Sequence, residues 1–337
     1  RRSWSATARS APAPASTRPG SSAAATPARA RALSTTHTTW TRLAERRLSM
    51  ERRWGPRSPH AFAALSLAAT VFLVCAWAAG DYAQSLASDA LILITLGVSL
   101  QAMMALGGLV SFGHAAFYGL GAYGTALAHL QWGWSLPGAL AVGCAASLGV
   151  AATLGWVMVR SAGVYLAMLS LALAQVVWAT ASQWVALTGG DNGLIGLQLV
   201  TDDTRTVFFA LLVFIALASV AALRRLSRSS LGAALQAVRD APERAAASGL
   251  NARNIKYRIF MESATLAGLA GGLFAAHQGA VFPSVASVAT SVDALLVVLL
   301  GGLHQVWGTV AGAAVLVGAA AELGRGFDYW RGALGVL

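Results

Sequence analysis

Long uncharged apolar runs alternate with short polar connectors along most of the chain. They fall at residues 62–80, 90–110, 114–130, 136–158, 162–187, 206–223, 259–281, 289–303 and 308–323. Several reach the roughly 20 residues that a helix needs to cross about 30 Å of hydrocarbon, far more than a signal-peptide core. The pattern predicts an all-α fold, a polytopic transmembrane helical bundle. Two stretches, GGLVSFGHAAFYGLGAYG at 107–124 and GGLHQVWGTVAGA at 301–313, carry Gly every few residues. Short, broken or re-entrant helices are expected there, because small residues permit close helix approach and irregular backbone survives only inside a bundle.

One long polar interruption separates the apolar runs, RRLSRSSLGAALQAVRDAPERAAASGLNARNIKYR at 224–258. After a Ser-rich turn, Leu231, Leu235 and Val238 recur at helical spacing, the pattern breaks near Pro242, and Gly249 is a helix-stop signal. Two short helices are predicted, with Asp240 capping the second ahead of Pro242. Ala241, Ala245 and Ala246 form a small-residue face that lets a partner surface come close. By composition alone, the segment also reads as an ordinary cytosolic loop whose arginines set topology.

Hydrophobic residues make up 56% of the chain, charged residues 11%, and mean hydropathy is +0.61, whereas a soluble domain carries about a quarter charged residues. The net charge of +11 suggests nucleic acid at first sight. Residues 1–60 hold 12 Arg and 2 Glu, however, so +10 belongs to the tail and +1 to residues 61–337. Nucleic acid is therefore not an expected partner; the lipid bilayer is. The domain reading is a basic tail at 1–60 and a membrane domain at 61–337 with a cytosolic loop at 224–258. Residues 1–49 are too poor in large apolar side chains to order themselves. Met50 precedes the first basic and apolar run, which suggests that 1–49 is upstream sequence; an organellar transit peptide fits the same composition. Cys75 and Cys144 lie in apolar segments and do not indicate a disulfide framework.

Arginine placement orients the chain. Arg52, Arg53 and Arg57 precede the first apolar run, Arg160 follows the fourth, and eight Arg or Lys lie between 224 and 258; these ends face the cytosol. Connectors holding Asp81 and Asp89, and Asp191, Asp202 and Asp203, suit the outer face. Alternation of nine spans agrees with every assignment, and RGALGVL at 331–337 reads as the start of another apolar segment.

The run LGAALQAVRDAPERAAASGLNARNIKYRIFMESATLAGLAGGLFA at 231–275 resembles the coupling loop and following helix of branched-chain amino acid ABC importer permeases of the LivM type. LGGLVSFGHAAFYGLGAYGTAL at 106–127, GVYLAMLSLALAQ at 163–175, LTGGDNGLIGL at 187–197 and LLGGLHQVWGTVAGA at 299–313 agree with that family in order. The resemblance, over roughly 60–335, implies a multi-pass permease of the bacterial inner membrane, working with two cytosolic ABC ATPases, a LivH-like partner permease and a periplasmic substrate-binding protein. It implies that Arg239, Asp240, Glu243, Ala246 and Gly249 belong to the segment that docks in the ATPase. No cofactor is expected on this chain, since ATP and Mg would sit on the partner; Lys256, the only lysine, is followed by Tyr257, so no phosphate-binding G-x-x-x-x-G-K-[ST] loop exists. The chain departs from the family's usual Gly-rich turn with His304, Gln305 and Trp307. It also places Glu262 where the family is usually apolar; an interfacial pair with Arg258, four residues earlier, is the simplest account.

Candidate path residues are fewer. Thr188, Gly189, Gly190, Asp191, Asn192 and Gly193 form an outer turn whose amides and carboxylate suit a zwitterion, a docking binding protein, or merely the fold. Tyr165, Met168, Leu169 and Leu173 read as an apolar path or as helix packing. His114 and His129 lack the neighbours a metal site needs, and a bond from His114 to backbone at a broken helix is expected. No catalytic constellation stands out. Urea or short-amide importer permeases are the nearest alternative; an ion-coupled secondary transporter would need mid-span charges that the runs almost lack.

Overall fold

The computed structural model describes residues 80–161 and 163–323. The expectations for the basic tail, Met50, Arg52, Arg53, Arg57, Cys75, the first apolar run and residues 331–337 lie outside them. Each of the other eight apolar runs forms a helix. These are α1 (Asp81–Gln101), α2 (His114–Trp132), α3 (Leu136–Met158), α4 (Val164–Gln183), α6 (Arg205–Arg228), α9 (Ala252–Gln278), α10 (Val288–Gly301) and α11 (Gly308–Leu323). Short α5 (Val185–Thr188) follows α4, and α7 (Ser230–Asp240) and α8 (Pro242–Ala247) lie between α6 and α9. Five are long and apolar enough to cross a membrane: α1 with its extension to Leu106, α3, α4, α6 and α9. This is a polytopic helical membrane protein.

The Gly-rich stretches interrupt helices as their composition predicts. Helix α1 passes at Ala102–Leu106 into a π-helical turn, a local widening common at functional sites. Gly108, at φ +65°, then turns the chain toward α2, a conformation costly for a residue with a Cβ. Residues 302–307 likewise separate α10 from α11. One boundary differs from expectation: α1 begins at Asp81, about nine residues earlier than the apolar run, so Asp89 lies within a spanning helix and not in a connector. Its polar neighbours there, His277 and Gln278, let a carboxylate continue the helix.

The centre of the bundle is the crossing of α9 with α2, α3 and α1. A Cβ on Gly121 would fall on the Gly268 carbonyl, one on Gly271 on the Tyr118 carbonyl, and one on Gly143 on the Gly121 carbonyl. Backbones therefore meet directly, the arrangement that small residues make possible where lipid supplies no hydrophobic drive between helices. Ser147, fully buried, sits against Gly268 and donates to the Phe117 carbonyl at 2.8 Å, so this hydroxyl is satisfied inside the crossing. At the end of the bundle away from α7 and α8, β1 (Leu194–Ile195) and β2 (Ala280–Val281) pair antiparallel, Leu194 opposite Val281, tying the connector after α5 to the one after α9.

Candidate coupling and translocation site

The polar segment between α6 and α9 folds as the predicted helix pair. Ser229 caps α7, its hydroxyl accepting from the Gly232 amide at 3.1 Å. Leu235 and Val238 are buried and Leu231 packs against the same core. Pro242 opens α8, and Gly249, at φ +81°, closes it: the Gly249 amide reaches the Ala246 carbonyl and the Leu250 amide the Ala245 carbonyl, both at 3.0 Å. Two details differ from expectation. Asp240 caps nothing; Ala241 occupies the cap position, and the Asp240 carboxylate accepts from Arg239 Nε at 2.8 Å. Ala245 is buried against the chain itself, and the exposed small-residue face runs through Ala233, Ala237 and Ala246 beside Asp240, Glu243 and Gly249.

Arg239 points inward. Its side chain is 23% exposed, and its guanidinium donates to the Ala105 carbonyl in the π-helical turn. Its stem lies over Gly108, where any Cβ would collide with it. A cation on the carbonyl end of a helix satisfies groups that the helix leaves open and complements its dipole. Helix α7 is thereby bonded to the break between α1 and α2, 134 positions away in sequence.

The same end of α1 gathers further contacts. Gln101, fully buried, donates to the Leu303 carbonyl at 3.1 Å and the Gln305 carbonyl at 2.8 Å and accepts from the Thr309 hydroxyl. This is how GGLHQVWGT is held despite its unusual residues. Across the break, the start of α2 is seated on hydroxyls from other helices. Ser170 accepts from the Phe112 amide and Ser291 from the Ala115 amide, each at 3.0 Å, which satisfies the open amides of a helix start inside the bundle. His114, 1% exposed, meets the Ser263 hydroxyl at 3.0 Å, and Ser263 donates to the Ser99 carbonyl at 2.6 Å. Since Ser263 spends its hydrogen on Ser99, His114 Nε2 is the donor. His114 thus holds a broken helix as expected, through a hydroxyl instead of directly to backbone. Gln101 and the four serines went unremarked in the sequence, where nothing distinguishes them from ordinary small polar residues in a span.

The turn at 188–193 is held largely by its own groups. Thr188, buried, donates to the Ala181 and Trp184 carbonyls at 2.7 and 2.8 Å. The amides of Gly189, Gly190 and Gly193 go to Val185, Thr188 and Gly190, while Asp191 and Asn192 stay exposed. Tyr165 and Met168, 79% and 65% exposed, project from α4 away from this chain's core, whereas Leu173 is buried. Elsewhere Asp89 stands 3.6 Å from His277, and Arg205 3.2 Å from Asp81. Glu262 faces a cavity between α1, α6 and α9 together with Arg225, and the Arg258 charge also acts on it. Among the described residues no group of three or more His, Cys, Asp or Glu could hold a metal ion.

A spanning bundle with a broken helix, bonded to a pair of short helices in a long polar segment, has the architecture of a transporter's membrane subunit. Residues 82–336 match the family described as branched-chain amino acid transport system / permease component, and the chain belongs to that family. It is 31% identical over 294 residues to the high-affinity branched-chain amino acid transport system permease protein LivM of Escherichia coli (strain K12), covering 78% of this chain and 69% of that protein. It is 32% identical over 271 residues to the protein of the same name from Salmonella typhimurium, covering 72% of this chain and 64% of the relative. No solved structure matches it. The chain is a multi-pass permease component, a transporter subunit that is not itself catalytic.

Proposed function

We propose that this chain is one permease of a binding-protein-dependent ABC importer carrying branched-chain amino acids across the bacterial inner membrane by alternating access. Cytosolic ATPases, two per transporter, hold ATP and Mg and grip the exposed face of α7 and α8. The bond from Arg239 to the Ala105 carbonyl carries this reading. It gives a movement of α7 a direct route to the α1–α2 break, and from there through Ser170, Ser263 and Ser291 to α4, α9 and α10.

A LivH-like partner permease lies against the outward face of α4. Tyr165, Met168 and Gln175 are exposed there, and a carboxamide near the middle of a spanning helix is better placed against protein than against hydrocarbon. Tyr165 and Met168 then line the path at the seam between two permeases. The periplasmic binding protein meets the turn displaying Asp191 and Asn192, whose self-satisfied backbone makes it a rigid contact.

The test is reconstitution of the full chain with its candidate ATPases and partner permease in liposomes, followed by ATPase and uptake assays with the binding protein and leucine, isoleucine, valine or urea. Uptake of the three amino acids supports the reading, uptake of urea alone replaces the substrate, and failure to retain any ATPase sinks the assignment.

A further inference from the structure

Helices α6 and α9 each pack on α1 but scarcely on one another, leaving a cavity of about 440 Å³ toward their cytosolic ends. This lies within the range of small-molecule pockets, roughly 300–1,000 Å³. Its walls are mostly apolar, with Leu223 and Ile259 among them, and two charges of opposite sign enter it, Arg225 from α6 and Glu262 from α9. The two form no ion pair with each other. Ser99, Ser219, Ser229 and Ser263 make up the rest of the polar wall, Ser99 and Ser263 almost fully buried.

A carboxylate in a spanning segment is expensive, and such residues mark ligand or ion routes when they face a cavity. The Arg258 charge, one turn earlier on α9, offsets part of that cost, and leaves Arg225 facing the same cavity from α6. An anion at Arg225, an ammonium at Glu262 and an aliphatic chain along Leu223 and Ile259 would satisfy every class of group on the wall. We infer that this cavity binds a zwitterion bearing an aliphatic chain. Two sources share that chemistry, a branched-chain amino acid on its way to the cytosol and a phosphatidylethanolamine of the inner leaflet. Only the first rests on the importer reading.

The position gives occupancy a consequence. Arg225 and Glu262 stand on the two helices that α7 and α8 connect, and Ser263 in the cavity wall is the residue that holds His114 at the start of α2. An occupant bridging α6 and α9 therefore resists their separation and loads the same break that Arg239 pulls on.

The experiment uses the assembled transporter in phosphatidylcholine nanodiscs. Cys75 and Cys144 are replaced by alanine, and Ala222→Cys, on the exposed face of α6 and in the cavity wall, is labelled with N-ethylmaleimide. L-leucine in the buffer, or phosphatidylethanolamine in the disc, is expected to slow labelling, and whichever protects names the source. Glu262→Gln and Arg225→Gln should each raise the half-protecting concentration about tenfold, the cost of one charge-assisted hydrogen bond. Labelling indifferent to both compounds, or protection unchanged in both variants, overturns the site. Uptake measured on the same preparation separates the two claims. Normal uptake without protection discards the cavity alone, and protection by phosphatidylethanolamine without any uptake keeps the cavity and discards the amino acid.

Discussion

The crossing of α2, α3 and α9 and the pair α7–α8 are both rich in glycine and alanine, yet they use small side chains in opposite directions. In the crossing, Gly121, Gly143, Gly268 and Gly271 face inward and bring backbones into contact. In the helix pair, Ala233, Ala237 and Ala246 face outward, and what holds the pair to the bundle is a few larger groups, Leu235, Val238 and Arg239. The first region is stabilised by fit along its whole length and tolerates no added volume. The second is attached at a few points and is the more easily displaced of the two.

The strongest way to break this contrast is Gly271→Val, which drives a branched side chain into the Tyr118 carbonyl. The helices must part, at a cost in the upper range of overpacked cores, about 3 kcal/mol. Loss of monodisperse protein in detergent is expected; a well-folded variant would show that the crossing is looser than its backbone contacts imply. Arg239→Ala comes next. Insertion and ATPase capture should persist while substrate-stimulated ATP hydrolysis falls about tenfold, through loss of a charged hydrogen bond to Ala105. Unchanged coupling would mean that α7 signals by another route.

Gly249→Ala should follow, costing about 1–2 kcal/mol by placing a Cβ at φ +81°. Hydrogen exchange should quicken in 242–250 and leave α9 beyond Ile259 unaffected; spread into the crossing would show that the two regions are one cooperative unit. Ser229→Ala is the mildest, removing a single cap worth about 1 kcal/mol. Faster exchange confined to the first turn of α7 is expected, with transport close to normal.

Much of the molecule was legible because it is written over short distances. Runs of apolar residues mark the spans, Gly-rich stretches mark where helices stop, and Leu231, Leu235 and Val238 fix the inward face of α7 by period alone. The Gly249 stop is encoded within six residues. Asp89 was misplaced for the complementary reason: a charge usually ends a span, and the partners that let this one continue, His277 and Gln278, lie almost 190 positions later. Asp240 stood where a cap residue belongs, but Arg239 beside it took its carboxylate.

By itself, then, the sequence determined the class of protein, the sites of its helices, the helix pair between α6 and α9, and through its motifs the permease family. The tertiary structure alone decided that Arg239 turns inward onto Ala105, that serines from several helices seat the start of α2, and that Glu262 and Arg225 share one cavity. The physical reason is range. Helix period, caps and stops depend on neighbours within a few residues, whereas a buried hydroxyl or charge is defined by whichever group the fold brings to about 3 Å, and nothing local to either residue names the other.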